Sequence, residues 1–295
     1  MKLKESKEIS FYGKLPLIFF LCCAVTVIIR TVQVFSFIDR ETGFYTGGSV
    51  LKVALYGVIA LSGVFFAVTT FLSKETAEVA LQFKKDGLLS ALACILSLSF
   101  IYDSLASFMG AFDSLGSSTY GVSAFQSMML SGTIPQFLQS IFAVFSAVYF
   151  LSFAKGTIKG TDSASKHKIL AVAPVGWAGF RLVYRFVEQI SYVRVSELLL
   201  ELILLALLVM LFMAFAQVNS GVYLKNARWR IIGLGLPAAM ISLTLNVPRL
   251  VFVLTKGADY LYSDYPFRVS DFVLALFFAV LAAKLVNRNK KSANA

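Results

Sequence analysis

The chain has 295 residues, 58% of them hydrophobic and only 15% charged, where a soluble domain carries about a quarter charged residues; this composition excludes a soluble protein and marks an integral membrane one. Lys and Arg outnumber Asp and Glu by 27 to 16, a net charge of +11. In a soluble protein that excess would suggest nucleic acid. Here the basic residues gather in alternate loops between apolar runs, so membrane orientation accounts for them, and lipids rather than nucleic acid are the expected surroundings.

Eight runs reach the roughly 20 residues that cross a bilayer as helix. They lie at about 15–38, 50–72, 87–108, 134–154, 169–190, 195–217, 231–254 and 269–286. The predicted fold is therefore all-α: a polytopic membrane helix bundle, read as a single transmembrane domain over residues 1–295. The basic lead and apolar run at the start resemble a signal peptide, but the run continues past any plausible cleavage site, so a retained first span is expected. The loops after even spans, and both ends, hold Lys2, Lys4, Lys7, Lys14, Lys74, Lys84, Lys85, Lys155, Lys159, Lys166, Lys168, Lys225, Arg228, Arg230, Lys284, Arg288, Lys290 and Lys291. The loops after odd spans hold few, and none falls between Phe108 and Gln136. This contrast places both termini in the cytoplasm and favours an even number of spans.

In chain order, the first span carries Arg30 and Gln33 and runs into the turn-rich segment IDRETGFYTGG. The segment KETAEVALQFKKDG after the second span reads as a short amphipathic surface helix or as a solvated loop. Span three ends with Tyr102 and Asp103, and the small-residue-rich loop after it reads as a mobile loop, a lid or a partly inserted loop. Pro135 suits the first turn of span four. Pro174 and Gly176 are placed to bend the start of span five. Span seven holds Pro237 and Pro248, and Pro248 deprives the Thr244 carbonyl of its helical donor beside Asn246 and Arg249. Tyr260, Tyr262, Tyr265 and Phe267 then read as an interfacial aromatic belt, and Asp271 opens span eight.

The stretch from Gly179 to Glu201 is the most informative. It carries Arg181, Arg185, Glu188, Glu197 and Glu201 between two apolar runs. A charge at mid-membrane costs roughly 2.5–3.5 kcal/mol on the insertion scale, so such residues have partners or a task. Arg181 and Glu201 are equidistant from Ser191, and so are Arg185 and Glu197. A tight hairpin turning at Ser191 therefore pairs Arg181 with Glu201 and Arg185 with Glu197, each pair at one depth and, by i,i+4 spacing, on one helix face.

A faint repeat joins IIRTVQVF, GFRLVYRF and NVPRLVFVL, each placing an arginine towards the outer end of an odd span, with Asp103 at the matching place in span three. Four tandem hairpins, two four-helix halves or chance similarity each account for it.

The segment Ile28 to Ser49 shows Arg30 and Gln33, then Asp39, Thr42, Gly43, Phe44 and Tyr45, then a glycine-rich turn. This pattern resembles the first span and loop of a family of uncharacterised polytopic membrane proteins from clostridial bacteria. The resemblance covers less than a tenth of the chain. It implies a bacterial cytoplasmic-membrane protein and no activity.

Catalytic parts are scarce. The single histidine, His167, falls in a basic loop, and Cys22, Cys23 and Cys94 fall inside spans, so neither Ser-His catalysis nor a zinc site nor a disulfide framework is expected. No cofactor, metal or catalytic residue is nominated. What remains is an outer-half polar layer: Arg30, Gln33, Tyr102, Asp103, Arg181, Arg185, Glu188, Glu197, Glu201, Asn246, Arg249 and Asp271. Two accounts stay open. In one, the layer is a set of interhelical ion pairs, with Arg249 meeting Asp271 and Arg30 snorkelling to the interface, in a scaffold, assembly or signalling subunit. In the other, it lines a cavity where arginines hold a small anionic or zwitterionic ligand in a transporter or binding protein.

Overall fold

The computed structural model describes residues 14–37, 47–72, 85–115, 124–160, 168–187, 195–220, 227–257 and 267–293. Among them there is no strand, and nine α-helices follow in order: α1 (Leu15–Ser36), α2 (Ser49–Leu72), α3 (Gly87–Leu115), α4 (Ala124–Leu130), α5 (Thr133–Lys159), α6 (Ala173–Val187, entered through a 3-10 turn at Leu170–Val172), α7 (Val195–Asn219), α8 (Ala227–Lys256) and α9 (Val269–Ala293). All but α4 belong to a helix long and apolar enough to cross a membrane, which gives eight candidate spans, the fifth running from Leu170 to Val187. The protein is an all-α polytopic membrane protein.

Helix ends follow local chemistry. Pro16 occupies the first turn of α1, where its missing N–H costs nothing. Asp86 Oδ1 accepts the Leu89 N–H at 3.2 Å and caps α3. Gly160 closes α5 in the left-handed region, with φ 67° and its N–H on the Gly156 carbonyl. The expected bend at Pro174 becomes the junction between the 3-10 turn and α6. Helix α8 continues through both Pro237 and Pro248. The loop after span three contains the seven-residue helix α4 instead of being wholly irregular. The 73–84 segment, His167, Tyr260, Tyr262, Tyr265 and the resemblance-bearing residues 39–45 lie outside the described residues.

The helices pack into two compact units, and the division is nested rather than sequential. One unit comprises Met1–Lys74 with Arg228–Ala295, hence α1, α2, α8 and α9; the other comprises Glu75–Ala227, hence α3 to α7. The second unit is built on a serine heptad. Ser90, Ser97 and Ser104 recur every seven residues on α3, and their hydroxyls bond the α5 carbonyls of Ala154, Ala147 and Ser140 at 3.0, 2.7 and 3.0 Å. Small hydroxyls at this spacing let two backbones approach and hold the antiparallel register without a water-driven hydrophobic term. At Gly176 the α6 backbone packs directly on the Phe142 ring of α5, where a Cβ would overlap it.

In the discontinuous unit, α1, α2, α8 and α9, helix α8 is the shared member. Thr244 Oγ1 lies 2.8 Å from Thr26 Oγ1 of α1, Ser62 of α2 reaches Met240 at 3.3 Å, and Ser242 Oγ donates to the Asp271 carbonyl of α9 at 2.8 Å. At Gly233 a Cβ would overlap the Thr70 hydroxyl, so the α8 backbone packs directly on the Thr70 side chain of α2 there.

Candidate functional site

Helix α6 buries one face, Ala173, Pro174, Trp177, Ala178, Arg181 and Arg185, in steps of three or four residues. The arginines are therefore turned inward on the same stripe as an indole. Arg181 Nη2 and Arg185 Nε both donate to Glu201 Oε1 of α7, at 3.1 and 3.2 Å. The expected Arg181–Glu201 pair is present. Arg185 also reaches Glu201, so one carboxylate oxygen serves two guanidinium groups; Glu188 and the Glu197 side chain lie outside the described residues.

The network continues away from the carboxylate. The Arg181 guanidinium carbon sits 5.4 Å from the Trp177 ring centroid, a cation–π contact strengthened by desolvation. Trp177 Nε1 donates to Asp103 Oδ2 at 2.6 Å, and Gln139 Nε2 donates to the same oxygen at 3.2 Å. Phe100 packs edge-on against Trp177, with centroids 4.8 Å apart. Trp177, Arg181, Arg185, Glu201 and Asp103 are all buried. Four helices thus hold one connected line: Glu201 of α7 with Arg181 and Arg185 of α6, then Trp177, then Asp103 of α3 with Gln139 of α5. Tyr102, expected beside it, is 62% exposed and stands outside this line.

The discontinuous unit holds the other predicted residues. Arg30 and Gln33 are 2% and 1% exposed, and Arg30 Nη1 donates to Gln33 Oε1 at 3.0 Å. Arg30 therefore stays inside the protein and does not snorkel. The Gln33 amide nitrogen is buried with no hydrogen-bond acceptor among the described residues. Thr26, Arg30 and Gln33 share one face of α1 at i, i+4, i+7. That face meets α8 at Thr26–Thr244; α1 touches α8 again through Phe35, which packs near Phe252 with centroids 5.3 Å apart. Asn246 Oδ1 accepts the Arg268 N–H at 3.3 Å while its Nδ2 returns to the Ser242 carbonyl. Arg249 and Asp271 are buried, and both are engaged in interactions.

The described members of the predicted set thus divide between two units: Arg30, Gln33, Asn246, Arg249 and Asp271 in the discontinuous one, and Tyr102, Asp103, Arg181, Arg185 and Glu201 in the continuous one. Within its unit, each group of described side chains is buried apart from Tyr102. Sequence reading missed Trp177, Gln139 and the serine heptad. Trp177 was detectable as the residue one turn before Arg181 and two before Arg185. Chemically, the sites offer guanidinium and amide donors suited to a carboxylate or phosphate oxygen. Among the described residues no three His, Cys, Asp or Glu side chains gather to hold a metal ion. No family model, curated protein or solved structure matches the chain.

Proposed function

We propose that the protein sits in a bacterial cytoplasmic membrane with both termini inside, and binds and transports a small anionic or zwitterionic molecule at the arginine-bearing layer in the outer half of its spans. The distribution of Lys and Arg supports the orientation, and the Ile28–Ser49 resemblance supports the bacterial setting. The observation that carries the ligand reading is the Gln33 amide nitrogen, buried without an acceptor beside Arg30. A buried donor left unmatched costs roughly 1–3 kcal/mol. An oxygen of a carboxylate or phosphate placed there would satisfy the amide and meet a guanidinium together.

A second reading, a non-transporting scaffold or assembly subunit, draws support from the other unit, where Glu201 takes both Arg181 and Arg185 internally. Thermal unfolding of the purified protein against a panel of small carboxylates, phosphates and α-amino acids separates the two. On the ligand reading at least one compound raises the unfolding temperature of the wild type, and Arg30→Ala abolishes that rise with abundance intact. On the scaffold reading no compound acts, and Arg30→Ala lowers abundance alone.

A further inference from the structure

Two prolines interrupt the hydrogen-bond ladder of α8, and they meet different neighbours. Proline has no N–H, so Pro237 leaves the Gly233 carbonyl, and Pro248 the Thr244 carbonyl, without its helical donor. The turn opened by Pro237 is covered, because the Gly233 backbone packs directly on the Thr70 side chain of α2. The turn opened by Pro248 starts at a residue that faces α1. Thr244 is fully buried, and its hydroxyl lies 2.8 Å from Thr26 Oγ1 of α1. The same hydroxyl reaches back to the Met240 carbonyl at 2.8 Å. It therefore serves the preceding turn and not the carbonyl of Thr244 itself.

The facing stretch of α1 carries the unmatched Gln33 amide. The contacts Thr26–Thr244 and Phe35–Phe252 rise together, so α1 and α8 run parallel within one unit. Gln33 lies seven residues beyond Thr26, about 10 Å of helical rise. Helical side chains lean towards the N-terminus, which brings the Gln33 amide back towards the Thr244 level. Helical carbonyls point towards the C-terminus, so that of Thr244 is directed outward to Pro248. A buried N–H with no acceptor among the described residues and a buried carbonyl without its helical donor thus approach one level of the α1–α8 interface. Arg30 stands beside them, its Nη1 on Gln33 Oε1 at 3.0 Å.

The pair is selective in what it accepts. A simple carboxylate or phosphate satisfies the amide but leaves the carbonyl, which turns the negative end of its dipole to the ligand. An amine satisfies the carbonyl but leaves the amide, beside a guanidinium that repels it. An α-amino acid carries both complements on one carbon. Helix breaks that aim backbone groups at a substrate recur in transporter sites. We infer that the ligand is an α-amino acid, which rests on the ligand reading above and narrows it. The carboxylate accepts the Gln33 amide N–H on the Arg30 side. The ammonium group donates to the Thr244 carbonyl, away from the guanidinium. Pro248 is a positioning residue, acting through that carbonyl by withholding the N–H that would otherwise take it.

The test uses the full chain in detergent and matched pairs that differ in the ammonium group: alanine with propionate, leucine with isocaproate and phenylalanine with hydrocinnamate. Thermal unfolding is followed against the concentration of each. The expected result is that at least one amino acid acts half-maximally at a concentration roughly ten-fold below that of its desamino partner, the effect of one charge-assisted hydrogen bond. Pro248→Ala returns an N–H to the Thr244 carbonyl and should bring the amino acid level with its partner. Equal action within every pair in the wild type, or an advantage that survives in Pro248→Ala, overturns the inference and leaves the ligand reading standing. Absence of any effect from all six compounds overturns the inference, and inorganic phosphate in the same assay then decides whether the ligand reading falls with it. Should Pro248→Ala fail to fold, the N-trimethylated form of the active amino acid, which keeps the charge but has no N–H, takes its place; an undiminished advantage overturns the inference as well.

Discussion

The two units bury charge in opposite ways. In the α3–α7 unit, Arg181 and Arg185 converge on Glu201, Trp177 links them to Asp103, and the serine heptad locks α3 to α5. In the α1, α2, α8, α9 unit, a proline-bearing helix is the common partner, and Gln33 keeps an amide nitrogen unmatched beside Arg30. A network built on an internal ion pair fixes geometry, because removing one member strands another. An open one leaves chemistry to be completed. Burial alone would not reveal this difference, since Arg30 and Arg181 are about equally buried.

Breaking the ion-pair network should have the largest effect. Glu201→Leu takes the shared acceptor from Arg181 and Arg185, and destabilisation of roughly 3–5 kcal/mol is expected, read as lost abundance and an early thermal transition. The charge exchange Arg181→Glu with Glu201→Arg should recover only part of that loss, because Arg185 then faces the new arginine; full recovery would mean that Arg185 does not depend on Glu201. Overpacking comes next. Gly176→Ala meets the Phe142 ring and Gly233→Ala meets Thr70, each costing about 1–3 kcal/mol, whereas Gly179→Ala, with nothing within 4 Å, should be silent in the same thermal assay.

The open network is probed by Gln33→Glu. This change offers Arg30 a carboxylate and removes the unmatched amide nitrogen. A gain of about 1–3 kcal/mol in unfolding free energy is expected, together with loss of any carboxylate-induced rise in unfolding temperature. A loss of stability would show that the amide already serves the fold. The smallest effect belongs to single serines of the heptad. Ser97→Ala removes one bond to the Ala147 carbonyl, with about 0.6 kcal/mol expected from interhelical hydrogen bonds in membranes.

Much of this was legible in the sequence. Apolar length marked the eight spans within a few residues at most ends; α3 and α5 run longer than expected, to Leu115 and Lys159. Mirror symmetry about Ser191 found Arg181–Glu201, but it treats side chains as sitting level with their own Cα atoms. Helical side chains lean towards the N-terminus, so Glu201 leans towards the turn and Arg185 away from it, and the two converge. Asp103 was singled out by charge, whereas its partners Trp177 and Gln139 carry none and left no such mark. The serine heptad was written openly at positions 90, 97 and 104 but is diluted among other serines. The nested division left no trace, because pairing α1 and α2 with α8 joins residues more than 150 positions apart, and no local pattern encodes that.

The nesting bears on how the chain is made. Synthesis proceeds from the amino end, so α1 reaches the bilayer with Thr26, Arg30 and Gln33 along a face whose mate, α8, does not yet exist. All of Glu75–Ala227 must be translated and threaded first. During that interval the guanidinium of Arg30 must be sheltered by the insertion machinery, or α1 must ride higher in the membrane and settle only when the last two spans arrive.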